Sequence, residues 1–255
     1  KYTAQVGGLW DAMLGEGRRW FNFASSDCHS TNPSDGDFYP GEYQKNWTYV
    51  ADRSNPQSTV DGLRSGNSWH VMGDLITQLE FSANGTSMGG ELTVEPGELV
   101  TILVRVKDPE APNHGGFPPT PDHIDLIAGD VTALIDPTDP AYTVATNSTT
   151  HVIQRFDGSS WTVDGEWREM SFTIPMQKDM YFRLRGTNNA LGQPFETDAD
   201  GNPLADSLAS NLGLDGAAEA WADLWFYSNP IFVRVPEPAT LALLAVAVVG
   251  MRRRS

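Results

Sequence analysis

The amino-acid sequence predicts a mainly β protein, with an antiparallel β-sandwich-like domain that follows one α/β step and precedes a C-terminal hydrophobic helix. Runs rich in branched and aromatic residues, such as ELVTILVRV and MYFRLRG, are separated by turn sequences such as EPGE and DGSS. The chain also has 24 Gly and 17 Pro, which favour short strands joined by turns over long helices. Both observations are typical of a sandwich, which we expect over residues 70–235.

The composition limits the possible partners. The chain has 255 residues, 40% of them hydrophobic, which is enough for a packed core. Lys and Arg number 17 against 33 Asp and Glu, so the net charge is −16. Because this charge repels phosphate backbones, we expect no nucleic-acid partner. The single cysteine, Cys28, leaves no intramolecular disulfide, so an exported chain would have to be stable without cross-links.

The first predicted element is an α/β step in GLWDAMLGEGRRWFNFASSDCHS. Its pattern predicts an amphipathic helix over residues 9–14 and a strand over residues 20–24. In an extended chain alternate side chains share a side, so Asp27 and His29 converge while Cys28 points the other way. Carboxylate and imidazole groups are metal ligands. The alternative is that Asp27 caps a turn and His29 is an ordinary surface residue.

Two other polar clusters are weaker candidates. His114 and His123 lie in a proline-rich loop without metal-ligand spacing, so we expect solvated loop histidines. Asp198, Asp200 and Asn202 alternate as in calcium loops, but a proline occupies the position where such a loop needs glycine. An Asp-Gly turn is therefore the preferred interpretation of the second cluster.

The C-terminal end has the pattern of a membrane anchor. Residues 239–251 are 13 uncharged residues, and Arg252, Arg253 and Arg254 follow them. The run is shorter than the roughly 20 residues of a typical transmembrane helix, and length alone favours a buried core helix. However, the run has one polar residue, Thr240, and the arginines suit the cytoplasmic side of a membrane, so the flanks favour insertion.

The order of residues at this end resembles a known sorting signal. Val235, Pro236, Glu237 and Pro238 precede the apolar run and the arginine cluster, as in the PEP-CTERM signal of bacterial exosortase systems. The resemblance implies that residues 236–255 direct export and anchor the chain transiently in the inner membrane. It also implies cleavage near the proline pair by exosortase-type machinery, with release to the cell surface or extracellular matrix.

The N-terminal step resembles the end of the PHP (polymerase and histidinol phosphatase) superfamily barrel, whose last metal motif is Asp-x-His. The segments GEYQKNWTYV, VDGLRSGNSWHVMGDLI and WFYSNPIFV resemble those that follow the barrel in CehA/McbA-type metallohydrolases. The resemblance implies that residues 1–32 end a barrel, residues 33–69 connect it, and residues 70–235 form the β-domain. Because only the last barrel step is present and the chain begins with Lys1, we expect a C-terminal fragment.

The PHP resemblance implies a metal-dependent hydrolase. Asp27 and His29 match the metal motif, and the implied cofactors are divalent Zn, Mn or Fe ions that activate water against a small phosphoester, ester or carbamate. The loop TNPSDGDFYPGEY would lie at the mouth of the site, which makes Asp37, Tyr39 and Glu42 candidates for substrate contact. The alternative for these three is an exposed polar linker. The other ligands of the family cluster have no counterpart, so we expect the fragment to be inactive.

A second hypothesis comes from a different functional class. The chain would be a non-catalytic protein of the cell surface or matrix whose β-sandwich binds matrix or polysaccharide and whose barrel remnant is degenerate. Its eight tryptophans could offer faces for sugar stacking, although aromatic residues in a sandwich are more often part of the core.

Overall fold

The computed structural model describes residues 3–26, 28, 38–204 and 220–236. Its helices are α1 (Leu9–Gly15) and α2 (Pro56–Ser65), and a 3₁₀ turn spans Pro140–Thr143. Its strands are β1 (Gln44–Thr48), β2 (Ser68–Met72), β3 (Gln78–Ala83), β4 (Thr86–Ser87), β5 (Glu91–Thr93), β6 (Leu99–Lys107), β7 (His123–Asp130), β8 (His151–Asp157), β9 (Thr162–Asp164), β10 (Trp167–Pro175), β11 (Met180–Thr187), β12 (Trp225–Ser228) and β13 (Ile231–Arg234). The prediction of a mainly β chain with antiparallel sheets is confirmed.

The first sheet has five antiparallel strands in the order β4-β3-β6-β10-β9. Along β6 the side chains of Val100, Ile102, Val104 and Val106 are completely buried, while the residues between them are exposed or half-buried. This period of two puts one face of the sheet against the core. The alternation in ELVTILVRV is thus the sequence signal of a half-buried strand.

The second sheet has eight strands, with β8, β7 and β11 forming one side. Strands β12 and β13 share the other edge of β11, where Arg185 lies opposite Tyr227 and Phe182 lies opposite Ile231. Between these two pairs the segment that joins β12 to β13 therefore has one residue more than β11 has. This bulge bends the strand, so that β12 continues into β2 and β1 while β13 pairs in parallel with β5.

The N-terminal segment covers the outer face of the second sheet. Met180, Phe182 and Leu184 of β11 belong to the core between the sheets, whereas Tyr181 is buried in a separate cluster with Trp10, Leu14, Val131 and Phe232. Helix α1 confirms the helix expected over residues 9–14. As a result β11 is buried on both faces, although its alternating sequence suggests one polar, solvated face.

The prediction of a strand over residues 20–24 is wrong. The described segment 18–26 is irregular, because its backbone hydrogen-bonds to asparagine side chains instead of to a neighbouring strand. The described residues include no helix with the length and apolar character needed to cross a membrane. Residues 239–251, where the sequence predicts the anchor, lie outside the described ranges.

Candidate functional site

A buried ion pair fixes α1 to the sheet. Arg183 donates from Nε to Asp11 Oδ1 at 2.7 Å and from Nη2 to Oδ2 at 2.6 Å, and both side chains have 0% exposure. The Tyr181 hydroxyl donates to Asp11 Oδ1 at 2.9 Å, and the backbone N–H of Gly7 donates to Oδ2 at 2.8 Å. The guanidinium also lies 5.0 Å from the Trp10 ring centroid. The carboxylate thus has four donors, which a buried charge needs.

The protonation states follow from these contacts. Burial alone would lower the pKa of Arg183, but the charge and hydrogen bonds of Asp11 outweigh burial and raise it. Burial raises the pKa of Tyr181 above its usual value, so the hydroxyl keeps its proton and donates to Asp11. The Thr150 hydroxyl, 2.6 Å from the Tyr181 oxygen, must then be the donor of that hydrogen bond.

From α1 the chain runs across the second sheet toward the predicted metal ligands. Asn22 donates its backbone N–H to Asn229 Oδ1 at 2.7 Å, which ties the segment to the bulge between β12 and β13. Asn46 of β1 then holds Ala24 twice, since its Oδ1 accepts from the Ala24 N–H and its Nδ2 donates to the Ala24 carbonyl, both at 2.8 Å. The backbone is therefore fixed three residues before Asp27.

A pocket of about 420 Å³ lies beside the end of this segment. It is lined by Ala24, Ser25, Ser26, Cys28, Pro40, Gly41, Gln44 and Asn46. The buried Oε1 atom of Gln44 has no hydrogen-bond partner among the described residues. An unsatisfied amide oxygen is able to accept from a ligand or a bound water, or to contact a cation.

The predicted site residues fall partly outside the described ranges. This is the case for Asp27, His29 and Asp37. Tyr39 and Glu42 are described, and they form a turn in which Glu42 Oε2 accepts the Tyr39 N–H at 2.9 Å and the Glu42 N–H donates to the Tyr39 carbonyl at 3.0 Å. Neither of these two lines the pocket.

The residues of the two weaker candidate clusters, the loop histidines and the Asp198 loop, contact other side chains or backbone groups of the fold. The ring of His114 lies 5.3 Å from that of Trp221, tilted by 49°. His123 begins β7 and is buried, so the expectation of a solvated loop histidine is wrong for this residue. Its Nδ1 lies 2.9 Å from Asp122 Oδ1. Asp198 Oδ1 accepts hydrogen bonds from the backbone N–H groups of Asp200 and Asn202, so it caps the loop for which calcium binding was the weaker interpretation. Within the described ranges, no three His, Cys, Asp or Glu residues are grouped as a metal site.

Sequence reasoning missed an aromatic groove of about 800 Å³ between β1 and β3. Trp47 lies opposite Trp69 in the β1–β2 register, and their rings stack at 5.8 Å with an interplanar angle of 12°. Trp47 is 47% exposed and Tyr49 is 66% exposed. The groove also contains Asn67, Gln78 and other uncharged polar side chains. The alternation in NWTYV was the available signal, since residues two apart on a strand share a face.

The last described residues are held tightly against the sandwich. Val235 donates its backbone N–H to Asp179 Oδ1 at 2.7 Å and has 8% exposure. Arg234 donates from Nη1 to Asp179 Oδ2 at 2.8 Å and from Nε to Glu91 Oε2 at 3.0 Å. Pro236, which follows, is half-buried. The remaining predicted sorting residues, Glu237, Pro238, Arg252, Arg253 and Arg254, lie outside the described ranges.

Comparison with known proteins supports the sorting signal predicted at this end of the chain. Residues 234–255 match the family described as the PEP-CTERM protein-sorting motif, so the predicted sorting signal is confirmed. The motif implies recognition by exosortase-type machinery, export, and anchoring at the C-terminus. No curated protein matched the chain in the comparison. The resemblance to PHP metallohydrolases receives no support from these matches.

Proposed function

We propose that the chain is the C-terminal part of an exported metal-dependent hydrolase of PHP type. In this proposal the β-sandwich is the rigid support of the segment that carries Asp27 and His29. The observation that carries the proposal is the fixed path of residues 18–26, which hydrogen bonds with Trp10, Asn229 and Asn46 hold and which ends beside a pocket. The proposed substrate is a small phosphoester, carboxylic ester or carbamate.

The two proposed metal ligands provide oxygen and nitrogen donors for a divalent cation. Asp27 would supply an anionic oxygen and His29 a neutral nitrogen, a set that suits Zn, Mn or Fe. Gln44, which lines the pocket, has a buried side-chain carbonyl oxygen without a hydrogen-bond partner among the described residues. A divalent ion bound there would supply Lewis-acid activation of water and substrate.

The contribution of the chain itself is positioning. Asn46 satisfies both backbone groups of Ala24, so the segment does not need a neighbouring strand to keep its course. A ligand pair held by a rigid scaffold keeps its geometry better than one on an unsupported loop.

Hydrolysis tests this proposal when the protein is produced with the coding sequence upstream of Lys1. Bis(p-nitrophenyl) phosphate is the substrate, and Mn²⁺ or Zn²⁺ is supplied. We expect Asp27→Ala and His29→Ala each to abolish most turnover, whereas the matched surface changes Asp164→Ala and His151→Ala should leave it unchanged. The proposal is wrong if the first two variants remain fully active, or if the upstream sequence lacks the His-x-His motif of the family.

A non-catalytic binding protein of the cell surface or matrix is the second candidate. The aromatic groove favours it, because a half-exposed indole beside uncharged polar groups is suited to a sugar ring. Its two charged lining residues are Arg53 and Glu80, and Glu80 is paired with Arg105 at 2.8 Å. The groove therefore favours a neutral glycan. Binding of such a glycan without any hydrolysis by the upstream-extended protein would support this candidate over the first.

A further inference from the structure

An exposed patch lies beside the point where the chain leaves the sandwich. We call Arg18, Arg19 and Trp20 the RRW patch. The side chains of Arg18 and Arg19 are 34% and 42% exposed, and Trp20 is 58% exposed. The backbone beneath the patch is fixed, since Trp10 Nε1 donates to the Trp20 carbonyl at 2.9 Å. Together with Phe21, the patch lines a shallow concavity of about 360 Å³.

Shared contacts place the RRW patch next to the last strand. Glu91 Oε2 accepts from Arg19 Nη2 at 2.7 Å and from Arg234 Nε at 3.0 Å. A Cβ atom added at Gly17 would lie 3.4 Å from Arg234 Nη2. The patch and the end of β13 thus occupy the same edge of the second sheet.

The chain leaves this edge without a linker. Asp179 holds Val235 to the sandwich, and only residues 237 and 238 separate Pro236 from the apolar run that begins at residue 239. Even a fully extended chain spans only about 10 Å over these three steps. When the apolar run is inserted in a membrane, the edge that carries the RRW patch must therefore lie close to the lipid headgroups.

We infer that the RRW patch rests on the anionic headgroups of the membrane while the C-terminal segment is inserted. Tryptophan is enriched at membrane interfaces because its ring is apolar and its N–H is polar. Arg18 and Arg19 are paired with Glu16 and Glu91, but each guanidinium has five N–H donors, so donors remain for lipid phosphate. This inference rests on anchoring by the sorting motif and is independent of the proposed hydrolase activity.

Electrostatics favours the same orientation. The whole chain carries a net charge of −16 and is repelled by an anionic surface. Around the exit, the positive charges of Arg18, Arg19 and Arg234 balance the negative charges of Glu16, Glu91 and Asp179. Placing this neutral edge against the membrane keeps the acidic surface of the domain away from the headgroups.

Quenching of tryptophan fluorescence by brominated lipids tests the inference on the full chain. The chain is reconstituted in vesicles of phosphatidylcholine and phosphatidylglycerol, with and without bromine near the headgroup end of the acyl chains. We expect Trp20→Phe to remove at least half of the quenching, whereas Trp47→Phe, at an exposed indole in the groove, should remove none. Both substitutions are at exposed positions and should leave the fold intact.

The outcomes separate orientation from anchoring. Flotation of the vesicles reports whether the chain is anchored. A chain that floats with quenching unchanged by Trp20→Phe overturns the inference alone, as does quenching that depends on Trp47. A chain that does not float overturns the inference together with the proposed anchoring.

Discussion

Asp11 and Arg183 face each other through two hydrogen bonds of 2.7 and 2.6 Å, with both side chains completely buried. The two residues are 172 positions apart in the sequence. They join the N-terminal helix to a central strand of the sandwich, and the segment of residues 18–26 follows this helix. The pair therefore contributes to the stability of the fold and to the support of the N-terminal segment on which the proposed function depends.

Removing one member of the pair should destabilise the protein strongly. Arg183→Met leaves the Asp11 carboxylate buried without its cation, which typically costs about 3–5 kcal/mol. Lys178→Met, which removes an exposed ion pair with Asp130, should change the free energy of unfolding by about 1 kcal/mol or less. Urea unfolding measures both values.

A double variant separates charge burial from packing. Arg183→Met combined with Asp11→Leu removes both charges, and replacing a buried pair by apolar residues is often close to neutral. We expect the double variant to recover most of the stability that Arg183→Met loses. A double variant as unstable as Arg183→Met alone would show that α1 is held by packing of the guanidinium on Trp10 and by the hydrogen bonds of Tyr181 and Gly7 to Asp11, and not by the ion pair.

Stability should depend on pH through His70. This side chain is 3% exposed and stacks at 5.2 Å on Tyr227, and desolvation lowers its pKa from 6.5 to about 4. Between these pH values the unfolded chain binds the proton and the folded chain does not, so stability falls as pH decreases from 6.5 to 4 and this contribution then levels off. The loss should be about 3 kcal/mol.

The contribution of His70 is isolated by comparison with His70→Phe. The wild-type protein should lose about 3 kcal/mol more stability than this variant between pH 7 and pH 4, because carboxylate titration affects both alike. His151→Phe, at an exposed histidine, should retain the wild-type dependence. Identical pH profiles for wild type and His70→Phe in urea unfolding would refute the assignment.

The sequence predicted those features that depend on local pattern. The alternation along β6 and the helix at residues 9–14 depend on neighbours in the sequence, and both are present. The expected strand at residues 20–24 is absent because its partners, Asn46 and Asn229, are far away in sequence and act through side chains. No local pattern contains such pairings.

Contacts between residues far apart in the sequence also explain which surface features the sequence did not reveal. Arg183 alternates with apolar residues on β11 and has the pattern of a solvated position, yet α1 covers it. The groove combines Trp47 and Trp69 from two strands with residues of the opposite sheet, so its shape depends on how the sheets pack. The sorting motif is different, since its contiguous residues were sufficient for recognition.

Exposed aromatic residues should determine any binding of glycan in the groove. If a neutral oligosaccharide such as cellohexaose binds, Trp47→Ala should weaken it by about tenfold or more, since truncation of an aromatic contact commonly costs over 1 kcal/mol. Tyr142→Ala, at a tyrosine of similar exposure outside the groove, should have no effect. Titration calorimetry gives the affinities. Equal affinity of the Trp47→Ala variant would exclude the groove as the binding site.

The terminal arginines should determine retention in the membrane. Deleting Arg252, Arg253 and Arg254 removes the positive charges that favour a cytoplasmic location of the C-terminus. We expect less membrane-associated precursor and slower processing, measured by fractionation and by the mass of the mature protein. Arg53→Gln, which removes one positive charge within the folded domain, serves as the control. Unchanged processing after the deletion would contradict the orientation assigned to the tail.

Metal binding by the 255-residue chain tests the central claim most directly. Two protein ligands leave most positions of an ion to water, whereas catalytic zinc sites generally have three protein ligands. We predict one weak Zn²⁺ site that dialysis empties, that Asp27→Ala or His29→Ala each abolishes, and that His151→Ala leaves unchanged. Titration calorimetry measures the affinity, and elemental analysis after dialysis shows whether the site empties. Equal zinc affinity of the wild type and both ligand variants in calorimetry, or stoichiometric zinc retained after dialysis, would contradict the account.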